Sequence, residues 1–188
     1  MELFASLFFQ NVQHLSALQA SIRIVPSLVV SVLINLTIGL FVHRVPAVWL
    51  VGLSSMICAG APVLMAVAPP DGIYWTHPFI AQIFQPASFA VLFTVGLIVV
   101  SDSFAEDTQA LAGAVFNTAG QFGGALGLSV LQVVSKLEEK KGADLQKEDA
   151  LLRGYRASFW AMFGFMLLCC GIGAFGMSKV GKVGLKRE

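Results

Sequence analysis

The side chains with chemistry to offer are few and widely spaced. Three carboxylates, Asp102, Glu106 and Asp107, cluster in SDSFAEDTQ, a short acidic connection. Beside the next helix's N-terminus they interact favourably with its dipole, which is their ordinary role. Proton relay is the other role open to them, but it calls for a carboxylate at membrane depth, and none of the three lies there. No Asp or Glu falls at the middle of a predicted span. His14, His43 and His77 all fall in predicted loops, so no convergent His, Asp and Glu set stands ready for catalysis. Cys58, Cys169 and Cys170 lie in apolar runs and read as small buried hydrophobes; adjacent cysteines lack zinc-ligand spacing. Asn35-Leu36-Thr37 fits the glycosylation sequon, yet it would lie within the bilayer. There is no Gly-rich phosphate loop, so ATP is not the energy source by any visible route. The expectation is a non-enzyme with no cofactor and no metal. What remains is amide chemistry, which can join helices or hold the polar part of a ligand.

Composition sets the medium in which those groups work. The chain has 188 residues, of which 56% are hydrophobic and 12% charged. Its mean hydropathy is +0.78. A soluble domain carries about 25% charged residues, so this is an integral membrane protein. A net charge of +1 gives no field for nucleic acid. The N-terminus has neither a basic region nor a small-residue cleavage site, so no signal peptide is expected.

The elements follow from runs of apolar residues. Residues 1–12, with Glu2 immediately ahead of LFASLFFQNV, are too short to span and read as the last half of a helix. Residues 13–23 read as a polar connection containing SALQA. The first full span is 24–42, with Pro26 near its start, where a missing N–H is harmless. The second is 46–68. Pro69-Pro70-Asp71-Gly72 is a turn signal, and Tyr74 and Trp75 are interfacial aromatics. The third span is 78–100; it carries Gln82, Gln85 and Pro86, the proline permitting a kink. The fourth is 110–135 and the fifth 155–177. Between these two, 136–154 reads as the one sizeable hydrophilic loop, with mixed signs in KLEEKK and LQKED. A basic tail occupies 178–188. The fold class is all-α, with five full transmembrane helices plus one incomplete, in a single domain over 1–188.

The fourth span, ALAGAVFNTAGQFGGALGLSVLQ, organises the rest. It has no charge and five glycines. In water each would cost roughly 1 kcal/mol relative to alanine in a helix. A bilayer enforces helix regardless, because every N–H and C=O must be satisfied within the segment. Gly120 with Gly124, and Gly123 with Gly127, form small-xxx-small pairs. At helical spacing Gly113, Asn117, Gly120, Gln121, Gly124 and Gly127 fall broadly on one side. That smooth side suits either tight packing in a bundle or a rocking contact within a carrier.

Four stretches carry a resemblance that covers most of the chain: FFQNVQHLSALQASIRIVP, GLFVHRVPAVWLVG, DTQALAGAVFNTAGQFGGALGLSV, and YRASFWAMFGFM through SKVGKVGLKRE. Together they resemble the C-terminal part of a fungal major facilitator superfamily carrier, in the fourteen-span drug:proton antiporter branch of the aminotriazole-resistance type. The resemblance implies the second six-helix half of a carrier with its first helix clipped, rocking against an N-terminal half around a midplane cavity. It places the glycine helix at the interface between halves. It aligns Gly39, His43 and Arg44 with the superfamily's cytoplasmic loop motif, with His43 where aspartate is usual; interfacial positive charge explains His43 and Arg44 equally well. It puts Gln10, Asn11, Gln82, Gln85 and Pro86 on cavity-lining helices, where the amides could bind substrate or join neighbouring helices. Orientation is also taken from the resemblance, since the cations on the two sides nearly balance.

The function implied is part of a secondary active, proton-coupled efflux transporter for small organic molecules, working by alternating access. The alternative is a truncated, non-transporting half-carrier or interaction subunit that needs a partner chain. The partners expected are the lipid bilayer, an unknown small-molecule substrate and the N-terminal half of the carrier, with no nucleic acid. The location expected is a plasma or vacuolar membrane.

Overall fold

A computed structural model describes residues 1–41, 47–70, 72–142, 144 and 146–176. Seven helices account for most of them: α1 Glu2–Asn11, α2 Ala17–Phe41, α3 Ala47–Val67, α4 His77–Phe84, α5 Pro86–Ser103, α6 Gln109–Lys141 and α7 Lys147–Gly176. No strand occurs among the described residues. Among the described residues, four stretches are long and apolar enough to cross a membrane: Ala17–Leu40, Trp49–Val67, His77–Val100 and Lys147–Ile172. The glycine helix is not among them, which departs from the five full spans expected. Its length is ample, but its glycines, Asn117, Thr118, Gln121 and Gln132 dilute the apolar character.

Three boundaries differ from the sequence reading, each for a local reason. The second helix begins at Ala17, within the stretch read as a connection. Ser16 Oγ accepts from the Gln19 amide at 3.3 Å, and Gln19 Oε1 accepts from the Ser16 amide at 3.1 Å. This is a reciprocal capping box, spelled by the S-x-x-Q in SALQ. Pro26 consequently lies inside α2 and not in its first turn. The third span is two helices: Gln85 ends α4, and Pro86 opens α5. The hydrophilic stretch 136–154 is mostly helix, because α6 runs on to Lys141 and α7 starts at Lys147. Lys136–Glu139 (2.7 Å) and Lys141–Glu138 pair at i,i+3 along α6, and Arg153 on α7 meets Glu138 at 3.3 Å. Such pairs support a helix that reads as a loop by polarity alone.

The core gathers around α1 and α3. Phe4, Ala5, Phe8 and Phe9 of α1 are fully covered, against Ala20 of α2, Ala61 and Met65 of α3, Ala81 of α4 and Phe159 of α7. Phe8 meets Phe159 edge-on at 6.5 Å. The α3 helix packs on α4, α5 and α7, and is the most buried of the four apolar spans. A second cluster joins Ile38 of α2, Val51 of α3 and Ala90, Val91 and Val95 of α5. The remaining α2 and α7 surfaces expose Leu28, Val32, Leu36, Leu167 and Ile172, as lipid-facing helices do.

Candidate functional site: a polar layer and an open glycine face

One end of the bundle is tied together by polar contacts, and this fixes the depth of everything below it. Gln13 Nε2 donates to the Pro70 carbonyl at 3.1 Å, and Arg23 Nη1 donates to Gln13 Oε1 at 2.6 Å. Tyr74 Oη donates to the Arg23 carbonyl at 2.6 Å, and the guanidinium lies 5.1 Å from the Tyr74 ring and 5.6 Å from the Phe9 ring. Burial pushes the Tyr74 hydroxyl's pKa up, against the opposing pull of Arg23. His14, at φ 52°, makes the turn from α1 to α2 and reaches Glu148 of α7 at 3.2 Å. Asn11 Nδ2 donates to Tyr155 Oη at 2.7 Å, and Arg156 reaches the Ala68 carbonyl. The turns after α1, α3 and α6 therefore share one side. Amphipathic Tyr, Trp and Arg belong where apolar helix meets water.

Counted inward from those turns at 1.5 Å per residue, several polar residues fall at one level. Glu2 on α1, Ser27 on α2, Cys58 on α3 and Gln85 at the α4–α5 break all lie about 12–15 Å from the ends of their helices. Ser27 is one turn deeper than Arg23. Cys58 Sγ donates to the Gln85 carbonyl at 3.0 Å. Pro86 supplies no N–H to continue α4, and it is buried at the first position of α5. Gln82 is completely buried, and neither its amide N nor its amide O has a protein partner; Gln85 Oε1 is likewise buried and unpaired. A buried amide without hydrogen bonds costs about 1–3 kcal/mol. The two glutamines, one turn apart, are thus an amide pair with spare hydrogen-bonding capacity inside the helix cluster.

The other amides are engaged. Gln10 Nε2 donates to Ser6 Oγ at 2.9 Å within α1, and Asn11 is held by Tyr155. Gly39 is exposed near the end of α2, while His43 and Arg44 lie outside the described residues.

Among the described residues, the glycine helix shows its smooth side to no other helix. A Cβ placed on Gly113, Gly120, Gly123, Gly124 or Gly127 would meet no atom of another element within 4 Å. Asn117 and Gln121 are exposed, 3.5 Å apart through their amides. The tight contacts of α6 are elsewhere. A Cβ on Gly96 of α5 would come within 2.5 Å of the Phe116 ring, and one on Gly154 of α7 within 2.6 Å of the Ser135 carbonyl. Ser158 seals that second seam by donating toward the Leu131 carbonyl at 3.1 Å. The glycines that let neighbouring helices approach α6, Gly96 and Gly154, stand singly in sequence and carry no spacing signal. Farther along α6, a shallow groove of about 490 Å³ is lined by Ser129, Gln132, Val133, Lys136, Leu137 and Lys140.

Apolar helices, lipid-type packing and an aromatic-capped end define an all-α integral membrane protein. No family model matches the chain. It is similar to MFS-type transporter 1 of Pyricularia oryzae, 33% identical over 96% of this chain and 33% of that protein. It is also similar to efflux pump terJ of Aspergillus terreus, at 26% identity over 84% of this chain and 29% of the relative. A third relative is the major facilitator superfamily multidrug transporter mdr3 of Aspergillus fumigatus, at 25% identity over 66% of this chain and 22% of the relative. These likenesses support membership of the major facilitator superfamily, among fungal transporters and efflux pumps. The chain spans a third or less of the length of these relatives.

Proposed function

We propose that the chain is part of a proton-coupled efflux transporter for small organic molecules, working by alternating access. The finer assignment is to the fourteen-span, aminotriazole-resistance-type branch. The observation that carries the reading is the bare side of α6. Among the described residues, five glycines and two amides lie uncovered by the other helices, on a helix too polar to count among the apolar spans. A face of that kind suits a helix–helix contact with another part of a carrier, where close backbone approach permits rocking. The N-terminal half of such a carrier is its natural occupant. The buried pair Gln82 and Gln85, beside the break at Pro86, supplies hydrogen bonds for the polar part of an amphiphilic substrate. The membrane would be the plasma or vacuolar membrane.

The test is efflux of a fluorescent amphiphilic cation from a yeast stripped of its own pumps. The gene is expressed with whatever coding sequence adjoins it, and a proton gradient is imposed. Gradient-dependent efflux that falls severalfold in Gly120→Val supports the reading. Efflux equal to the empty-vector control in every arrangement rejects it. The same bare face favours a second reading, a non-transporting half-carrier or interaction subunit. In that case the chain is recovered in a stable complex with another membrane protein and no efflux follows.

A further inference from the structure

The side of α6 turned away from α7 carries a pattern of its own. The α7 helix meets α6 along Leu131, Ser135 and Glu138: Ser158 donates to the Leu131 carbonyl, Gly154 abuts the Ser135 carbonyl and Arg153 pairs with Glu138. At about 100° per residue Lys140 stands opposite that seam, in line with Ser129, Val133 and Lys136. On this side Leu111, Phe122 and Val133 recur every eleven residues, as do Val115, Leu126 and Leu137. An eleven-residue repeat closes on three helical turns, about 3.67 residues each, so both series keep to one side of the helix. All six side chains are more than half exposed. The stripe is free of charge until Lys136, and Lys136 and Lys140 close it, one turn apart. The whole helix changes at that level. Residues 109–135 hold no charged side chain, whereas five of the six residues from Lys136 to Lys141 are charged. Cations at the end of an uncharged helix belong at the headgroup level of a bilayer. Across this change Ser129, Gln132, Val133, Lys136, Leu137 and Lys140 line the shallow groove of about 490 Å³.

We propose that this groove binds an acidic phospholipid, with the phosphate between Lys136 and Lys140 and the acyl chains along Val133, Leu137 and Leu126. Charge complementarity selects the headgroup. Lys136 is paired with Glu139 at 2.7 Å, and the neighbouring Lys141 is taken by Glu138. Lys140 has no ion pair among the described residues. The groove therefore holds one uncompensated positive charge, which a headgroup of net negative charge neutralises. An ammonium offers three donors and no acceptor, so phosphate oxygens suit it. A zwitterionic headgroup brings a cation of its own to the same place and leaves the charge balance unchanged. The lengths also agree. Lys136 and Leu126 are ten residues apart, about 15 Å of helix, which is half of a hydrocarbon core of about 30 Å and thus one leaflet. Within that distance Ser129 Oγ is turned back on the Ala125 carbonyl at 2.9 Å, which leaves Val133 and Leu126 to face the chains. Gly113, Gly120, Gly124 and Gly127 fall on the opposite side of α6. Lipid on one side and a partner helix on the other can share α6, so the lipid site stands whether or not the chain transports.

The test is photolabelling of the full chain in phosphatidylcholine nanodiscs doped with phosphatidylglycerol that carries a diazirine on one acyl chain, read by peptide mass spectrometry. Adducts should concentrate on the α6 peptide between Leu126 and Leu137. Their yield should fall about fivefold in Lys140→Gln, fall further when Lys136→Gln is added, and return toward wild type in Lys140→Arg. It should rise in Glu139→Gln, which releases Lys136 from its carboxylate; a merely structural role for these side chains predicts no rise. Should Lys140→Gln melt below wild type, Glu139→Gln decides alone, and an unchanged yield there overturns the proposal. Equal labelling by phosphatidylcholine bearing the same diazirine shows an apolar stripe without headgroup selection and also overturns it. So does displacement by millimolar inorganic phosphate, which assigns the lysines to a soluble anion. Absence of α6 adducts, as when another helix covers the stripe, overturns it too.

Discussion

At the residue scale, glycine in this chain does two different jobs, and the distinction is testable. Gly154 lets α7 touch the Ser135 carbonyl of α6, a backbone atom that cannot swing aside. Gly154→Val should therefore part the α6–α7 pair, lowering the chain's thermal stability in detergent by about 1–3 kcal/mol, the usual penalty of overpacking. Gly120 meets no other element among the described residues. Gly120→Ala should leave the melting temperature unchanged or slightly raised, since alanine is the better helix former by roughly 1 kcal/mol. Tyr74 gives a pH signature. Burial raises its pKa above the ordinary 10.0. The folded state therefore favours the neutral phenol, and the phenol is the form that donates to the Arg23 carbonyl. That contribution is complete below the unfolded value and is lost as pH rises through the folded one. Denaturation followed between neutral pH and the alkaline range should show wild type weakening above about pH 10, with the Tyr74 part of that loss absent in Tyr74→Phe.

At the scale of elements, polarity misleads where local hydrogen bonding decides. The stretch 13–23 looks like a connection, yet Ser16 and Gln19 cap each other and start α2 at Ala17. Ser16→Ala should fray the first turn and cost about 0.5–2 kcal/mol. Amide hydrogen exchange should rise first at the N-terminal end of α2 and leave the α3 core protected. The stretch 136–154 misleads in the same way. KLEEKK is charged but helix-forming, and Glu138 binds both Lys141 and Arg153, so one carboxylate stiffens α6 and ties it to α7. Those two cations hold the Glu138 carboxyl below the usual carboxylate range. Conversely, 78–100 reads as one span but is two helices, since Pro86 cannot donate to α4.

At the scale of the whole molecule, the chain makes a bundle with two unlike surfaces. The outer sides of α2 and α7 are apolar and suit lipid, whereas the glycine side of α6 is smooth, polar in part and bare. Relatives of this chain are about three times its length or more, so on the proposed reading α6 meets further helices of a carrier. An antibody against the KVGKVGLKRE tail should then detect a native membrane polypeptide well above 20.1 kDa. A band at 20.1 kDa assigns the half-carrier reading instead.

The sequence by itself determined the medium and the fold class. Low charge and long apolar runs leave helix as the structure that satisfies the backbone in lipid, and the same runs are similar to fungal transporters. The glycine spacing made one side of α6 smooth, and among the described residues no other element covers that side. Only the tertiary structure decided which groups meet. Ser27 and Glu2 are 25 residues apart, Cys58 and Gln85 are 27 apart, and neither pair has a spacing that sequence could rank. Depth was the hidden quantity. Glu2 looked like a charge at the edge of an incomplete helix; it stays exposed on this chain, yet it meets Ser27 once α1 folds back along α2. A linear pattern records how far a residue lies along its own helix, whereas function at membrane depth depends on where neighbouring helices place it.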